Sequence, residues 1–383
     1  MIIGYDGKRA FQNKTGLGNY SRSLVWILAV NFPHNRYLMF APKQTSLFSI
    51  TSMNNVEVHT PQQTFYKKFP ALWRRTGVVK DIKASNLDIY HGLSNELPTG
   101  IENTPVKSVV TVHDLIFERF PETYNFDERY THRWKIKRAC KIADAVIAIS
   151  EQTKEDLVNI YGINANKIFT CYQSCNPIFE KLHSESEKEM VKKRYGLPDK
   201  YFLFVSSIAP RKNLVAICKA FILLKHKMNI PLVIIGDGKK EKDKVKKLMA
   251  ENSMSNQLIF LNELPQSKEK AFTNATDFPA IYQQALALIY PSIFEGFGLP
   301  ILEAMWSGLP VISSNTSSMP EVAGESALYF TPDDDDKLAK HMFSIATNKA
   351  LTEELKAKGF IQAQKFASSN YAENVMKVYT QLL

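Results

Sequence analysis

Cysteine is scarce in this sequence: four residues in 383, at positions 140, 171, 175 and 218. Cys171 and Cys175 are too far apart for a Cys-x-x-Cys redox or zinc element. All four are expected to be reduced, packed thiols. Long apolar runs are also missing, since "LVWILAV" and "LALIY" fall far short of the roughly 20 residues a spanning helix needs. The opening "MIIGYDGKRA" has no basic region followed by an apolar core and cleavage site, so a cytoplasmic protein is expected. There is no Gly-x-Gly-x-x-Gly, which removes support for a nicotinamide dinucleotide. Nor is there a recognisable nucleic-acid module or base-reading arginine helix, so no nucleic-acid partner is expected. Repeats are absent, and the one low-complexity tract, Asp333 to Asp336, reads as a solvated turn or helix start rather than a metal site.

What is present describes a globular protein. An apolar fraction of 45% and a charged fraction of 22% exclude disorder, collagen and coiled coil. The length exceeds one ordinary core and implies two domains. A formal charge of +10 and a pI near 9.2 point to an anionic partner: nucleic acid, an acidic membrane surface or phosphate-bearing small molecules. In "FYKKFPALWRRTGVVKDIK", Lys67, Lys68, Arg74 and Arg75 interleave with Phe65, Tyr66, Phe69, Leu72 and Trp73. The stretch Phe65 to Arg75 fits either an anionic membrane surface or an ordinary amphipathic surface segment.

Short β-rich runs alternate with longer amphipathic stretches, the pattern of parallel strands joined by helices. Strands are expected at "MIIGYD", "RYLMFA", "VEVHT", "DIYHG", "SVVTVHD", "AVIAIS" and "KIFTCY". In the second half they are expected at "YFLFVSS", "PLVIIGDG", "LIFLNE", "LALIYPS" and "PVISS". Helices include "LGNYSRSLVWILAV" and "SEQTKEDLVNIYG", the latter capped by Ser150. The polar stretch "HSESEKEMVKKRYGLPDK" reads as the inter-domain connection. The chain is therefore expected to divide into 1–180 and 181–383, with a last helix that can pack back on the first domain.

Ligands of such folds sit at strand-to-helix turns. Gly16 and Gly18 flank Leu17 just before a helix, where backbone N–H groups can approach an anion; a plain glycine turn is the alternative. Arg211 and Lys212 in "VSSIAPRKNL" land at a helix start, against the macrodipole unless a bound anion such as a diphosphate relieves them; solvation is the alternative. "IIGDGK" places Gly236 and Gly238 at another strand end. In "SIFEGFGLPILEAMWSGLPVISS", a loop carries Glu295, Pro300 suits the first helical turn, Glu303 lies inside the helix and Gly308 ends it. The backbone from Phe297 to Pro300 can face a ligand, and the two carboxylates can accept from sugar hydroxyls or form salt bridges.

With those motifs, "TGLGNY", "DIYHGLSNELP", "VVTVHDLIFERFPETY", "ADAVIAISEQTKEDL", "APRKNL" and the Glu-x7-Glu element, the sequence resembles the retaining GT-B glycosyltransferases of family 4 over essentially its full length. One departure is Ser206, where the family usually has glycine; Ser207 follows where many relatives carry arginine. The resemblance implies an α/β fold of two Rossmann-like domains with parallel sheets facing across a central cleft, the first binding acceptor and the second a nucleotide-sugar. It implies that Gly16 and Gly18 approach the donor phosphates and that Arg211 and Lys212 grip the diphosphate. Glu303 would hold the ribose, Glu295 with the Phe297-Gly298 backbone the transferred sugar, and the Leu264 backbone the base. Ser207, Gly236 and Leu299 belong to the same donor-side set. His113 in "VHD" matches the active-site histidine, a buried structural histidine being the alternative.

The implied reaction is transfer of a hexosyl unit, mannosyl by choice, from a GDP- or UDP-linked donor to a glycan or lipid-linked glycan in cell-surface polysaccharide synthesis. No resident cofactor and no metal is expected, since no Asp-x-Asp motif precedes a metal-type site. The protein would work in the cytoplasm, peripheral at the inner face of the membrane. A nucleotide-sugar epimerase or phosphorylase of the same fold, and a non-catalytic nucleotide-sugar-binding subunit, are the rival readings; donor turnover separates the last from an enzyme.

Overall fold

The computed structural model describes residues 1–383. It divides into two compact units, one formed by residues 1–173 with 368–383 and the other by 174–367.

The first unit holds seven parallel strands: β1 (Ile2–Asp6), β2 (Arg36–Phe40), β3 (Val56–His59), β4 (Ile89–Gly92), β5 (Lys107–Val112), β6 (Ala145–Ala148) and β7 (Ile168–Thr170). Their order across the sheet is β3-β2-β1-β4-β5-β6-β7. Strands such as "IYHG" and "AVIA" are buried at every position, as helix-covered parallel strands must be. Even His91 in β4 is wholly buried; its ring nitrogens meet Tyr379 Oη at 2.6 Å and Thr111 Oγ1 at 2.8 Å. Tyr20 Oη lies 2.9 Å from the same threonine. Tyr379 belongs to helix Ser368–Leu382, so this polar chain ties the returning helix to the sheet.

The second unit holds β8 (Phe202–Val205), β9 (Leu232–Ile235), β10 (Leu258–Phe260), β11 (Leu288–Tyr290), β12 (Val311–Ser314) and β13 (Ala327–Phe330), in the order β10-β9-β8-β11-β12-β13. Twelve of the thirteen strands fall where the sequence places them; β13 is the addition. The expected cap of helix Glu151–Tyr161 is present, with Ser150 Oγ accepting from the Thr153 amide. Asp334 likewise caps helix Asp335–Thr347.

Two expectations change. The polar stretch read as a connection contains helix Glu185–Tyr195, closed by a reciprocal Ser184–Glu187 capping box, and it lies inside the second unit. In the basic-aromatic segment, Phe65, Phe69 and Leu72 are exposed as expected, but Trp73 is buried and donates to Asp81 at 2.6 Å. Arg74 also turns inward, pairing with Asp6 at 2.5 Å and Glu96 at 2.6 Å. A π-turn over Trp73–Gly77 causes this, because an i+5 turn advances the chain out of the 3.6-residue phase. No helix is long and apolar enough to cross a membrane.

Candidate functional site

In the second sheet the strand order reverses between β8 and β11. The carboxyl ends of two strands flanking such a reversal diverge into loops on opposite sides, leaving a crevice that ligands of parallel α/β folds occupy. The loop after β8 carries Arg211 and Lys212, and the loop after β11 carries Glu295.

These three side chains meet. Lys212 Nζ is 2.5 Å from Glu295 Oε1, and an Arg211 Nη lies 3.0 Å from Glu295 Oε2. Arg211 also donates to the Phe294 carbonyl, and its own carbonyl accepts from the Ile293 amide at 2.8 Å. Lys212 is buried, with its ammonium 5.8 Å from the centre of the Tyr290 ring. Burial opposes charge on Glu295, but the neighbouring Lys212 and Arg211 outweigh it and hold the carboxyl below its usual range. The two cations therefore already have a counter-charge from the protein, a third source beside the bound anion and the solvation that the sequence offered. Nor do they begin the helix: they form a 3₁₀ turn, Pro210–Lys212, and Leu214–Leu224 starts after Asn213 in the left-handed region, where asparagine is tolerated.

The Glu295 loop is held by serines that sequence reading left without roles. Ser317 Oγ donates to the Glu295 carbonyl at 2.6 Å, and Ser318 Oγ to the Phe297 carbonyl at 2.7 Å. The "SNTSS" stretch was the available signal. Phe297 is buried against Phe366, Gly298 has a φ of 118° that suits glycine, and Leu299 begins the helix Leu299–Trp306.

Inside that helix Glu303 accepts from Tyr282 Oη at 2.8 Å. Burial raises its carboxyl to about 7, only partly offset by the tyrosine. Glu295 and Glu303, eight residues apart, thus differ in kind: one is a paired carboxylate, the other a carboxyl poised near neutrality.

Ser207 is exposed in the loop after β8. Gly236 is required by packing, since a Cβ there would lie 1.7 Å from the Ser206 carbonyl oxygen. The Leu264 amide donates to Leu261 and its carbonyl accepts from Ser267, each at 3.1 Å, so a base meeting this backbone shares groups already engaged.

The remaining expected residues lie in the first unit. Gly16 starts helix Gly16–Asn31, with open space where a Cβ would stand. Gly18 is a packing position, where a Cβ would stand 1.9 Å from the Asn13 carbonyl oxygen. His113 is buried at the end of β5, with Nε2 2.9 Å from the Leu93 carbonyl and its ring edge-on to Tyr20. Only a protonated Nε2 suits that carbonyl. Burial lowers the histidine to about 4, so it is neutral at physiological pH, with Nδ1 as an acceptor.

The family model for glycosyl transferases group 1 matches residues 185–362, and that for Glycosyltransferase Family 4 matches 34–176. The O-antigen chain mannosyltransferase B of Escherichia coli is 28% identical over 96% of this chain and 96% of its own length. The serotype-specific mannosyltransferase WbdA of Escherichia coli is 30% identical over 78% of this chain, which spans 36% of that protein. Among solved structures, a glycosyltransferase from Rickettsia africae ESF-5 superposes with a TM-score of 0.75 at 16% identity, covering 100% of this chain and 98% of that one. Anabaena Alr3699/HepE, solved in complex with UDP, gives 0.73 at 17% identity, with 99% of each chain covered. With two parallel sheets of this topology and both family models matched, the chain belongs to the group 1, family 4 glycosyltransferases of GT-B fold.

Proposed function

We propose that this enzyme is a retaining mannosyltransferase that uses GDP-mannose and extends a lipid-linked glycan in cell-surface polysaccharide synthesis, without a divalent metal. The cluster of Arg211, Lys212 and Glu295 at the β8/β11 reversal carries the donor part of this reading. Two cations and one carboxylate leave a surplus positive charge in a largely buried place, where it attracts a diphosphate far more strongly than in water. The choice of mannose and of a polysaccharide acceptor is supported by the O-antigen mannosyltransferases among the relatives.

In the proposed reaction the bond between the anomeric carbon and the diphosphate oxygen breaks. The acceptor hydroxyl attacks from the same face, and its proton passes to the departing phosphate. Charge grows on the leaving diphosphate, and preorganised Arg211 and Lys212 stabilise it more in the transition state than before, the role a metal ion serves elsewhere. Glu303 accepts from the ribose and Glu295 from the transferred sugar. The exposed Phe65 and Phe69, with Lys67 and Lys68, are proposed to face an anionic membrane.

Calorimetry with GDP, UDP and ADP in EDTA tests the donor assignment, followed by assay of mannosyl transfer from GDP-mannose. Micromolar binding of GDP is expected; binding of none of the three, or only with added divalent ion, overturns it.

Glu303 adds a pH signature. The unfolded carboxyl titrates near about 4.3. Between that value and about 7 the folded chain holds the extra proton, so this group's stabilisation is complete below the lower value and is lost as pH rises through the upper one. A ribose hydroxyl donates best to the ionised carboxylate, so GDP binding near about pH 6.5 should release protons. The terminal phosphate of GDP also sheds a proton in this range when cations grip it, so the binding enthalpy should depend on the buffer's ionisation heat in both proteins, and more steeply in the parent than in Glu303→Gln. An equal dependence in both would remove Glu303 from the nucleotide site.

A further inference from the structure

The first sheet has its own reversal of strand order, between β1 and β4, and a cavity of about 670 Å³ lies there wholly within the first unit. Its size is that of a small-molecule site. Asp6, at the carboxyl end of β1, and Glu96 clamp Arg74 between them, and Lys135 adds a bond to Glu96 at 2.7 Å. Such a floor offers fixed donors and acceptors to hydroxyl groups. Tyr130 and Trp134, four residues apart on helix Phe126–Ile142, line the cavity yet remain 62% and 45% exposed. The Arg75 guanidinium lies over the Trp134 ring, 5.8 Å from its centre.

Charge completes the pattern. Of the cations lining the cavity, Arg74, Lys135 and Arg138 are paired with carboxylates. Lys8, Lys43 and Arg75 line it without an ion-pair partner. Burial first, and then the neighbouring Arg74 and Arg9, lower the Lys8 ammonium from its usual value, against the opposing pull of Glu96 and Asp6. Hydroxyl-binding groups, partly exposed aromatic rings and cations without ion-pair partners are the complement of a sugar bearing phosphate.

We propose that this cavity binds the acceptor by a phosphorylated sugar, with the pyranose against Trp134 and Tyr130 and the phosphate held by Lys8, Lys43 and Arg75. The assignment rests on the glycosyltransferase reading for its biological role, but its test does not depend on the donor site.

Mannose 1-phosphate, methyl α-mannoside and inorganic phosphate serve as probes, titrated calorimetrically into the whole chain both with and without excess GDP. Phosphatidylglycerol vesicles form a separate arm. The variants are Trp134→Ala and the triple Lys8→Ala, Lys43→Ala, Arg75→Ala; Arg74 is left intact because its loss would strand two carboxylates. Mannose 1-phosphate should bind the parent and weaken about ten-fold in each variant, with GDP affinity unchanged. The non-phosphorylated sugar and inorganic phosphate should each bind at least about ten-fold more weakly than the phosphosugar. No phosphosugar binding, equal binding in the variants, or equally tight binding of inorganic phosphate overturns the proposal. So does vesicle binding that alone depends on these residues, since the surface would then read a membrane. If GDP fails to bind while the phosphosugar behaves as expected, the donor assignment falls and the cavity assignment stands.

Discussion

Replacing Lys212 by alanine is expected to lower kcat/KM for sugar transfer by about 10²- to 10³-fold, the scale of losing one preorganised donor to developing negative charge. Most of the loss should appear in kcat, because the charge on the diphosphate rises as the anomeric bond breaks. Arginine at this position should not restore the rate: the ammonium sits 2.5 Å from Glu295 in a buried space and over Tyr290, where a wider planar fork has no equivalent place. Glu295→Gln provides the internal control. With the counter-charge removed, GDP should bind more tightly while transfer still falls. Parallel melting curves separate these effects from folding, since Glu295 keeps Arg211 at 3.0 Å when Lys212 is lost. A Lys212→Ala enzyme of undiminished kcat would end the assignment of this lysine to the leaving group.

Removal of residues 368–383 is expected to abolish cooperative folding of the first unit. Helix Ser368–Leu382 buries Tyr371, Val375, Met376, Val378 and Tyr379. At about 1.5–3 kcal/mol for each large apolar side chain, their exposure forfeits roughly 8–15 kcal/mol. That is comparable to the whole stability of a typical domain, about 5–15 kcal/mol. The polar chain fails with it, because His91 loses Tyr379 inside the sheet, and a buried imidazole left without its partner adds a further penalty. Calorimetric unfolding and amide exchange of the truncated chain would show the outcome. Retention of the parent's protection in β1 and β4 would contradict the energetic role assigned to the helix.

The sheet strands were legible because their burial on both faces demands continuous runs of Val, Ile, Leu and Phe, as in "FLFV" and "LVII". β13 escaped notice as a four-residue edge strand with its middle positions half-exposed. The Glu-x7-Glu element could be placed on its loop and helix from glycine and proline positions alone. Its electrostatics could not, because Lys212 and Glu295 are 83 residues apart and meet only through the adjacency of β8 and β11. Arg74 was misread because the π-turn changes phase without leaving a compositional mark. Glycine itself is ambiguous in sequence: Gly18 and Gly236 are each pressed by a neighbouring carbonyl, whereas Gly16 is not.

The division of the chain also sets an order of events during synthesis. Between Gln173 and the segment that completes the first unit lie residues 174–367, which form the second unit by themselves. At about 5–20 residues per second, the nascent first sheet waits roughly 10–40 s for its closing helix. During that interval the second unit can reach its native state, while the surface destined for Tyr371, Val375 and Tyr379 stays uncovered. The first unit to emerge is thus the last to finish, its seam open until residues 368–383 arrive.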